Sequence, residues 1–344
     1  MAPSSMIPLA LATGGEKSYS QRTSTLRSFS HTFTPCFQRT LRGEVDELLH
    51  YARDKAGLDF CVITDNDFYR LSMTSSEWAL NQLYTREFNE PGKFVVFSGY
   101  EWTISNWAKK ASGGGSDYGG HRSIIYLTND QPIFRWTDDG SQDIEGLSRC
   151  IEKTNGIMYA HHQEWILSRS SRERNVEVCS GWHVCIDKPE CIHRHLSNGN
   201  VFGFIGGTDS HRRNPGLNGG LTGVFAKELT REAIFKALKN RRCYATNGSR
   251  IIIDFRINDA FMGERCRVDG DPLIYVRAMG TRRLLSVDLY RNGEVIYSKP
   301  GTGKNLQFEY VDSDCPREDS CYYVLLRGRK PLVSLEPVSY THLT

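Results

Sequence analysis

From Gly43 onward, Val45, Leu48, Leu49, Ala52 and Ala56 recur at helical spacing, and Gly57 then ends the run. Leu58 to Ile63 follows at once as a short apolar run of the kind that forms a buried strand. Helix, tight turn and strand in that order predict an α/β unit. Further strand-like runs occur at Phe94–Phe97, Ile124–Leu127, Ile157–Ala160 and Val201–Ile205. A helix is predicted at Glu232–Leu238, with Thr230 as its N-cap. This alternation from about residue 29 to residue 250 predicts an α/β barrel or a doubly wound sheet.

After Ile251 the pattern changes. Ile251–Ile257, Leu273–Arg277, Leu284–Tyr290, Glu294–Tyr297, Leu306–Tyr310 and Tyr322–Leu326 are short β-type runs separated by turns. Arg291-Asn292-Gly293 supplies a hairpin turn between two of them. Residues 251–335 therefore read as a small all-β, sandwich-like module. Residues 1–28 are rich in Ser, Thr, Pro and Gly, show no sustained period, and read as loop or disorder. No internal repeat of 20 to 50 residues is present.

Composition narrows the class without naming a function. The 344 residues carry 43 Lys+Arg against 40 Asp+Glu, a formal charge of +3, so no global basic field points to nucleic acid or a membrane surface. Apolar residues at 39% and charged residues at 24% are ordinary for a soluble globular chain. No apolar run approaches the ~20 residues of a spanning helix. Ile7–Ala12 is short, contains Pro8 and lacks a basic flank, so it does not read as a signal peptide, and a cytoplasmic location is expected. The ten cysteines are scattered with no CxxC pair and need not form a disulfide framework. Cys61, inside an apolar run, reads as a small core residue. Cys315 and Cys321 flank a polar turn and would pair only in an oxidising compartment.

The chemistry lies after the strands. Leu58–Ile63 runs into Thr64-Asp65-Asn66-Asp67, and Phe94–Phe97 into Ser98-Gly99-Tyr100-Glu101-Trp102. Ile157–Ala160 runs into His161-His162, and Val201–Ile205 into Gly206-Gly207-Thr208-Asp209-Ser210-His211. In α/β barrels the C-terminal strand ends converge on one face, where catalysis sits. Carboxylates gathered there repel one another and resist burial unless cations compensate them. A mixed histidine and carboxylate cluster suits Zn, Mn or Fe. Each residue alone has an ordinary structural role open to it, such as helix capping for an Asp after a strand. The coincidence of four strand ends favours a metal site.

The strings AGLDFCVITDND, FVVFSGYEWT, GHRSIIYL, AHH, NVEV, FGFIGGTDSH, GLTGVFA, LTREAI and RRCYATNGSRI resemble the polymerase and histidinol phosphatase (PHP) superfamily. The closer likeness is to an uncharacterised branch with a C-terminal β module, and it covers residues 30 to 330 or so. The resemblance implies a distorted (β/α)7 barrel that holds up to three divalent metals and hydrolyses phosphoesters.

Carried over residue by residue, the resemblance also shows departures. The family's His-x-His-Thr motif reads Phe29-Ser30-His31-Thr32, so His31 matches the second histidine and Phe29 replaces the first. Thr-Asp-His-Asp reads Thr64-Asp65-Asn66-Asp67, so Asn66 replaces a ligand, and its amide oxygen is a poor donor to Zn. Glu101 matches the carboxylate that bridges two metals, His161 or His162 the next histidine, and Asp209 and His211 the last motif. Glu177, in Asn175-Val176-Glu177-Val178, is a further candidate ligand. The expected metal ligands are thus His31, Asp65, Glu101, His161, His162, Glu177, Asp209 and His211, with Asp209, Glu101 and Asp65 catalytic. One or two metals are expected rather than three. His121, Arg122 and Arg212 are the candidates to hold substrate, the arginines offsetting phosphoryl charge. The Gly113-Gly114-Gly115 segment lacks the Lys and Ser/Thr of a phosphate-binding loop and reads as a mobile rim.

Two other features carry expectations. Cys179, His183, Cys185, Cys191, His193 and His195 form a soft-ligand group whose spacing fits no standard zinc finger. Val338-Ser339-Tyr340-Thr341-His342-Leu343 resembles a translated sequencing adaptor, which makes 336–344 an artefactual tail on a metagenomic fragment and clips the β module. The leading expectation is a divalent-metal-dependent phosphoesterase acting on a small phosphorylated substrate, with no nucleic-acid or membrane partner. The alternatives are a non-catalytic PHP-like protein that binds a phosphorylated or carbohydrate ligand, and a metal-dependent hydrolase of a non-phosphate bond.

Overall fold

The computed structural model describes residues 5–13, 28–31, 33–34, 45–67, 72–104, 120–161, 165–181, 190–209, 214–217, 219–316 and 318–328; for 5–13, 28–31 and 33–34 this is the course of the chain alone. Strands and helices are numbered along the chain. The first sheet contains β3 (Phe33–Thr34), β4 (Phe60–Asp67), β5 (Val95–Trp102), β6 (Arg122–Tyr126), β7 (Gly156–Ala160), β8 (Glu173–Cys179) and β9 (Gly203–Gly206), adjacent in chain order. Strand β6 runs antiparallel to both neighbours, and every other pair is parallel. The result is a mixed α/β protein with six longer strands curled into a half-barrel. This is coarser than the expected distorted (β/α)7 barrel, because the reversed β6 breaks the strand–helix–strand repeat.

Local chemistry explains the helices. Helix α1 (Val45–His50) continues as a π-helical turn at Tyr51–Lys55 and stops where Gly57 adopts φ +59°. Helix α2 (Ser75–Glu87) begins with a capping box: Thr74 accepts from the Glu77 amide while Glu77 accepts from the Thr74 amide. Helices α3 (Ile144–Glu152), α4 (Glu190–Ser197) and α5 (Arg231–Lys239) follow. Thr230 caps α5 by accepting from Ala233 N, as the sequence predicts.

The inner face of the half-barrel packs on α5. Phe60, Val62, Val95, Phe97, Ile125, Ile157, Tyr159 and Ile205 meet Ile234, Phe235 and Leu238 in one buried cluster. Each fully buried aliphatic or Phe side chain contributes about 1.5–3 kcal/mol of transfer free energy. The outer face is covered by α1 over Cys61, Ile63 and Val96, by α3 over Ile124, Tyr126 and Met158, and by α4 over Val176, Val178 and Phe204.

The second sheet runs β17 (Glu294–Pro300), β16 (Leu284–Arg291), β19 (Ser320–Gly328), β1 (Ser5–Thr13), β11 (Cys243–Thr246), β10 (Leu221–Phe225), β2 (Ser28–His31), with β14 (Cys266–Arg267) on β1. The third runs β13 (Ala260–Phe261), β12 (Ile252–Ile257), β15 (Leu273–Met279), β18 (Asn305–Val311). Their facing side chains, among them Phe255, Val276, Val287, Leu289, Phe308 and Val324, form one core. The hairpin between β16 and β17 turns at Asn292 (φ +50°) and Gly293 (φ +94°), the left-handed pair that a two-residue turn requires.

Three features bear on the sequence reading. The N-terminal segment expected to lack order contains β1, which lies parallel between β11 and β19; its apolar Met6–Ala12 run suits a strand enclosed on both edges. The soft-ligand group is not a zinc site among the described residues: Cys179 is core, Cys191 packs beside it, and His193 lies against Tyr290 and Tyr323. Its members His183 and Cys185 lie outside the described residues. Cys315 and Cys321 are not joined by a disulfide, and Cys315 accepts from the Tyr322 hydroxyl. No helix among the described residues is long and apolar enough to cross a membrane. The tail at 336–344 and the Gly113-Gly114-Gly115 segment lie outside the described residues.

Candidate active site

Strand alternation decides which residues can meet. Beta-strand side chains alternate between faces, so residues that share parity with Phe60, Val62, Val95 and Phe97 face inward. Along β4 and β5 the register is unbroken, pairing Asn66 with Glu101 and Asp65 with Tyr100. Thus Asn66 and Glu101 lie side by side on the inner face, while Asp65 falls on the outer one. Because β6 is reversed, the residue before its first position, His121, comes to the same end of the sheet as the last turns of its parallel neighbours. His161 follows β7, Glu177 lies near the end of β8, and Asp209 follows β9.

At that end the side chains converge. His161 Nδ1 lies 2.6 Å from Glu177 Oε2, and its Nε2 lies 3.6 Å from Glu101 Oε2 and 3.7 Å from Asp209 Oδ2. His121 Nδ1 lies 2.7 Å from the other Glu101 oxygen, Oε1. Thr103 donates to that same oxygen at 3.1 Å and sits 3.2 Å from His121 Nδ1. Asp209 has φ +46°, a left-handed conformation in which Asp is one of the few tolerated side chains. Strain of this kind concentrates at functional positions.

Glu101, Glu177, Asp209 and His161 are each at most 3% exposed. Burial alone would lower the His161 pKa, but Glu177, Glu101 and Asp209 outweigh it and raise it to about 10. Glu177 is raised by burial, against the pull of His161. Among the described residues, the raised His161 pKa favours an imidazolium beside the three buried carboxyl groups.

The structure brings Glu101, His121, His161, Glu177 and Asp209 of the expected set into this cluster. Strand parity places Asp65 on the face of Cys61 and Ile63 rather than on that of Asn66 and Glu101. Asp67 is spent elsewhere: it accepts from the Met73 amide and lies 3.3 Å from Arg135 Nε. Arg122 is also corrected. Its guanidinium is wholly buried, 2.6 Å from Glu173 Oε1, and donates to the carbonyls of His121 and Ile166, so it holds backbone rather than substrate. The β2–β10 register sets His31 opposite Thr222, whose hydroxyl bonds Gly206 at the end of β9; the His31 side chain lies outside the described residues, as do His162, His211 and Arg212. Thr103 had no sequence signal beyond its parity with Glu101.

Among the described residues, no group of three or more His, Cys, Asp or Glu side chains is arranged as a formed metal site. The donor chemistry nonetheless fits a divalent ion. His161 Nε2, Glu101 Oε2 and Asp209 Oδ2 face one another across gaps wider than a hydrogen bond, while Nδ1 is taken by a carboxylate in the manner usual for metal-binding histidines. Asn66 Oδ1, on the same face as Glu101, is a buried acceptor with no hydrogen-bond donor.

Residues 215–269 match a family described as a protein of unknown function (DUF3604). Uncharacterized proteins of Chlamydia trachomatis and Chlamydia muridarum are 29% and 24% identical over 322 residues, each alignment covering 78% of this chain and 48% of the relative. The chain thus spans about half the length of the curated relatives it matches. Among solved structures, a two-domain protein from Bacteroides vulgatus containing a predicted PHP-like metal-dependent phosphoesterase aligns with TM-score 0.48 at 16% identity, covering 86% of this chain and 91% of that one. An amidohydrolase from Chromobacterium violaceum aligns with TM-score 0.29 at 12% identity, covering 53% and 87%.

Proposed function

We propose that this chain is a divalent-metal-dependent hydrolase that cleaves a phosphoester. The observation that carries this reading is the convergence of Glu101, His161, Glu177 and Asp209, buried and excessively anionic, at one end of the curled sheet. The order of its motifs, which resembles that of the PHP superfamily, supports the same reading and directs it toward phosphoesters.

Glu101, His161 and Asp209 would hold the ion, with Asn66 Oδ1 as a further oxygen donor. A bound divalent ion supplies a water that ionises near neutral pH and offsets charge developing on the phosphoryl oxygens. Glu177 fixes the imidazole of His161 through Nδ1, which leaves Nε2 to face Glu101 and Asp209. Glu101 divides its two oxygens, one toward His161 and one toward His121 and Thr103. His121, held at Nδ1, is the assigned proton-handling group, close enough to the cluster to serve a leaving oxygen.

A second reading, a ligand-binding protein without catalysis, is favoured by Phe29 and Asn66, which replace two imidazoles of the resembling family. One experiment separates the two. The purified chain is analysed for bound metal and assayed on an aryl phosphate with added Mn. The hydrolase reading expects about one or two metals per chain and turnover that Asp209→Asn abolishes. Less than one metal per chain, or turnover that Asp209→Asn leaves intact, overturns it.

A further inference from the structure

Beside the first residues of β8 and β9 lies a cavity of about 430 Å³, bounded by Leu167 to Ser171 on one side and Gly199 to Phe202 on the other. Its volume falls within the usual range of small-molecule sites. It opens near Glu173, four residues before Glu177, so it stands roughly 13 Å along the strand from the His161 cluster.

The charge around it leans basic, although Glu173 also lines it. Arg169 and Arg174 both line the cavity. Arg169 is exposed, and Arg174 donates from Nε to a neutral acceptor, the Lys239 carbonyl, at 2.9 Å. Arg241 stands behind Gly203, against which an added Cβ would touch its side chain, and is itself committed to the Gly263 carbonyl. The nearby acids are already engaged. Glu173 lies 2.6 Å from Arg122 Nε and accepts from the Ser168 amide, and Glu152 accepts from Oγ of the lining Ser170 at 2.7 Å. Among the described residues, no carboxylate forms an ion pair with Arg169, Arg174 or Arg241. Burial lowers the Arg241 pKa to about 10, and the fields of Arg174 and Arg265 push the same way. Partly desolvated guanidinium groups that repel one another are stabilised when an anion enters between them.

We infer that this cavity binds a small molecule through a phosphate or carboxylate group, with Arg169 and Arg174 as its direct donors and Arg241 as the charge behind them. The site is independent of the metal reading, since none of its residues belongs to the His161 cluster.

The test uses the full chain, stripped of metal with chelator, in calorimetric titrations with inorganic phosphate and with succinate against sodium chloride of matched ionic strength. The expected result is saturable binding of one of the two anions, with Kd on the order of 1 mM or tighter. Arg169→Ala, at an exposed position, should weaken it about tenfold, and His161→Gln should leave it unchanged. The preferred anion identifies the group recognised. Absence of binding by both anions beyond the chloride control, or wild-type affinity in Arg169→Ala, overturns the inference. If Arg174→Met is also made, its circular dichroism must match wild type before its titration is read.

Discussion

His161 Nδ1 and Glu177 Oε2 lie 2.6 Å apart with both side chains buried. This contact fixes the ring plane of an imidazole that, among the described residues, faces Glu101 and Asp209 together. On the proposed reading, Glu177 orients this imidazole, a different role from the metal ligand that its sequence position invites. Glu177→Gln should preserve the fold and reduce divalent-metal affinity about 10- to 100-fold. Metal titration of the apo-protein by calorimetry checks this, and unchanged affinity would return Glu177 to a purely packing role.

The same contact makes metal-free stability depend on pH. Against the effect of burial, the neighbouring carboxylates raise His161 in the folded state to about 10 from its ordinary 6.5. Its contribution to stability is fully present below about pH 6.5 and is lost as pH rises through about 10. Urea unfolding of the apo-protein between these limits should show stability declining, and His161→Gln should flatten that decline. Metal binding must displace the same proton, so apparent metal affinity should climb over the same range.

Asn66 offers oxygen where an imidazole would favour zinc. Asn66→His should raise zinc affinity about tenfold, roughly 1.4 kcal/mol, and change manganese affinity much less, because softer nitrogen donors suit zinc better. Competition titrations with both ions measure the ratio. An unchanged ratio would mean that Asn66 does not reach the ion.

Arg122 and Glu173 form a buried pair at 2.6 Å. Removing one partner of such a pair costs about 3–5 kcal/mol by leaving a lone buried charge. Arg122→Met should lose stability on that scale, and Arg122→Met with Glu173→Met should recover much of it. Chemical denaturation of the two variants is the measurement. Because Arg122 also holds the His121 carbonyl, the stable double variant should still lose hydrolytic rate.

Much of this arrangement is legible in the chain itself. Strands enclosed by helices on one face and a core on the other read as continuous apolar runs, which is why β4, β5 and β7 stand out. Thr230 and Arg291-Asn292-Gly293 announce a cap and a turn through backbone chemistry alone. Strand β8 is hidden because Glu173, Asn175 and Glu177 interrupt its apolar pattern, and those polar residues are buried for reasons of pairing. Helix α2 is hidden likewise: it turns Asn81, Gln82 and Thr85 inward, with Trp78 its one large buried apolar residue. At the site, proximity to a strand end picks out Glu101, His161 and Asp209, whose side chains converge in the structure. Proximity alone also admits Asp65 and Arg122, which only the parity of β4 and β6 removes.

Strand β1 has a bearing on how the chain acquires its shape. It lies parallel between β11 and β19, with Leu11 beside both Ala245 and Leu325. Strand β1 thus waits for β19, more than 300 residues later in the chain, before its position exists, and such distant pairings close slowly. During synthesis the half-barrel emerges from the ribosome with its neighbouring sheet still open, and one late zippering event joins β1 to β19. A cut near residue 250 would therefore separate β1 and β11 from β19 and leave each fragment with an unfilled seam, rather than release two self-sufficient pieces.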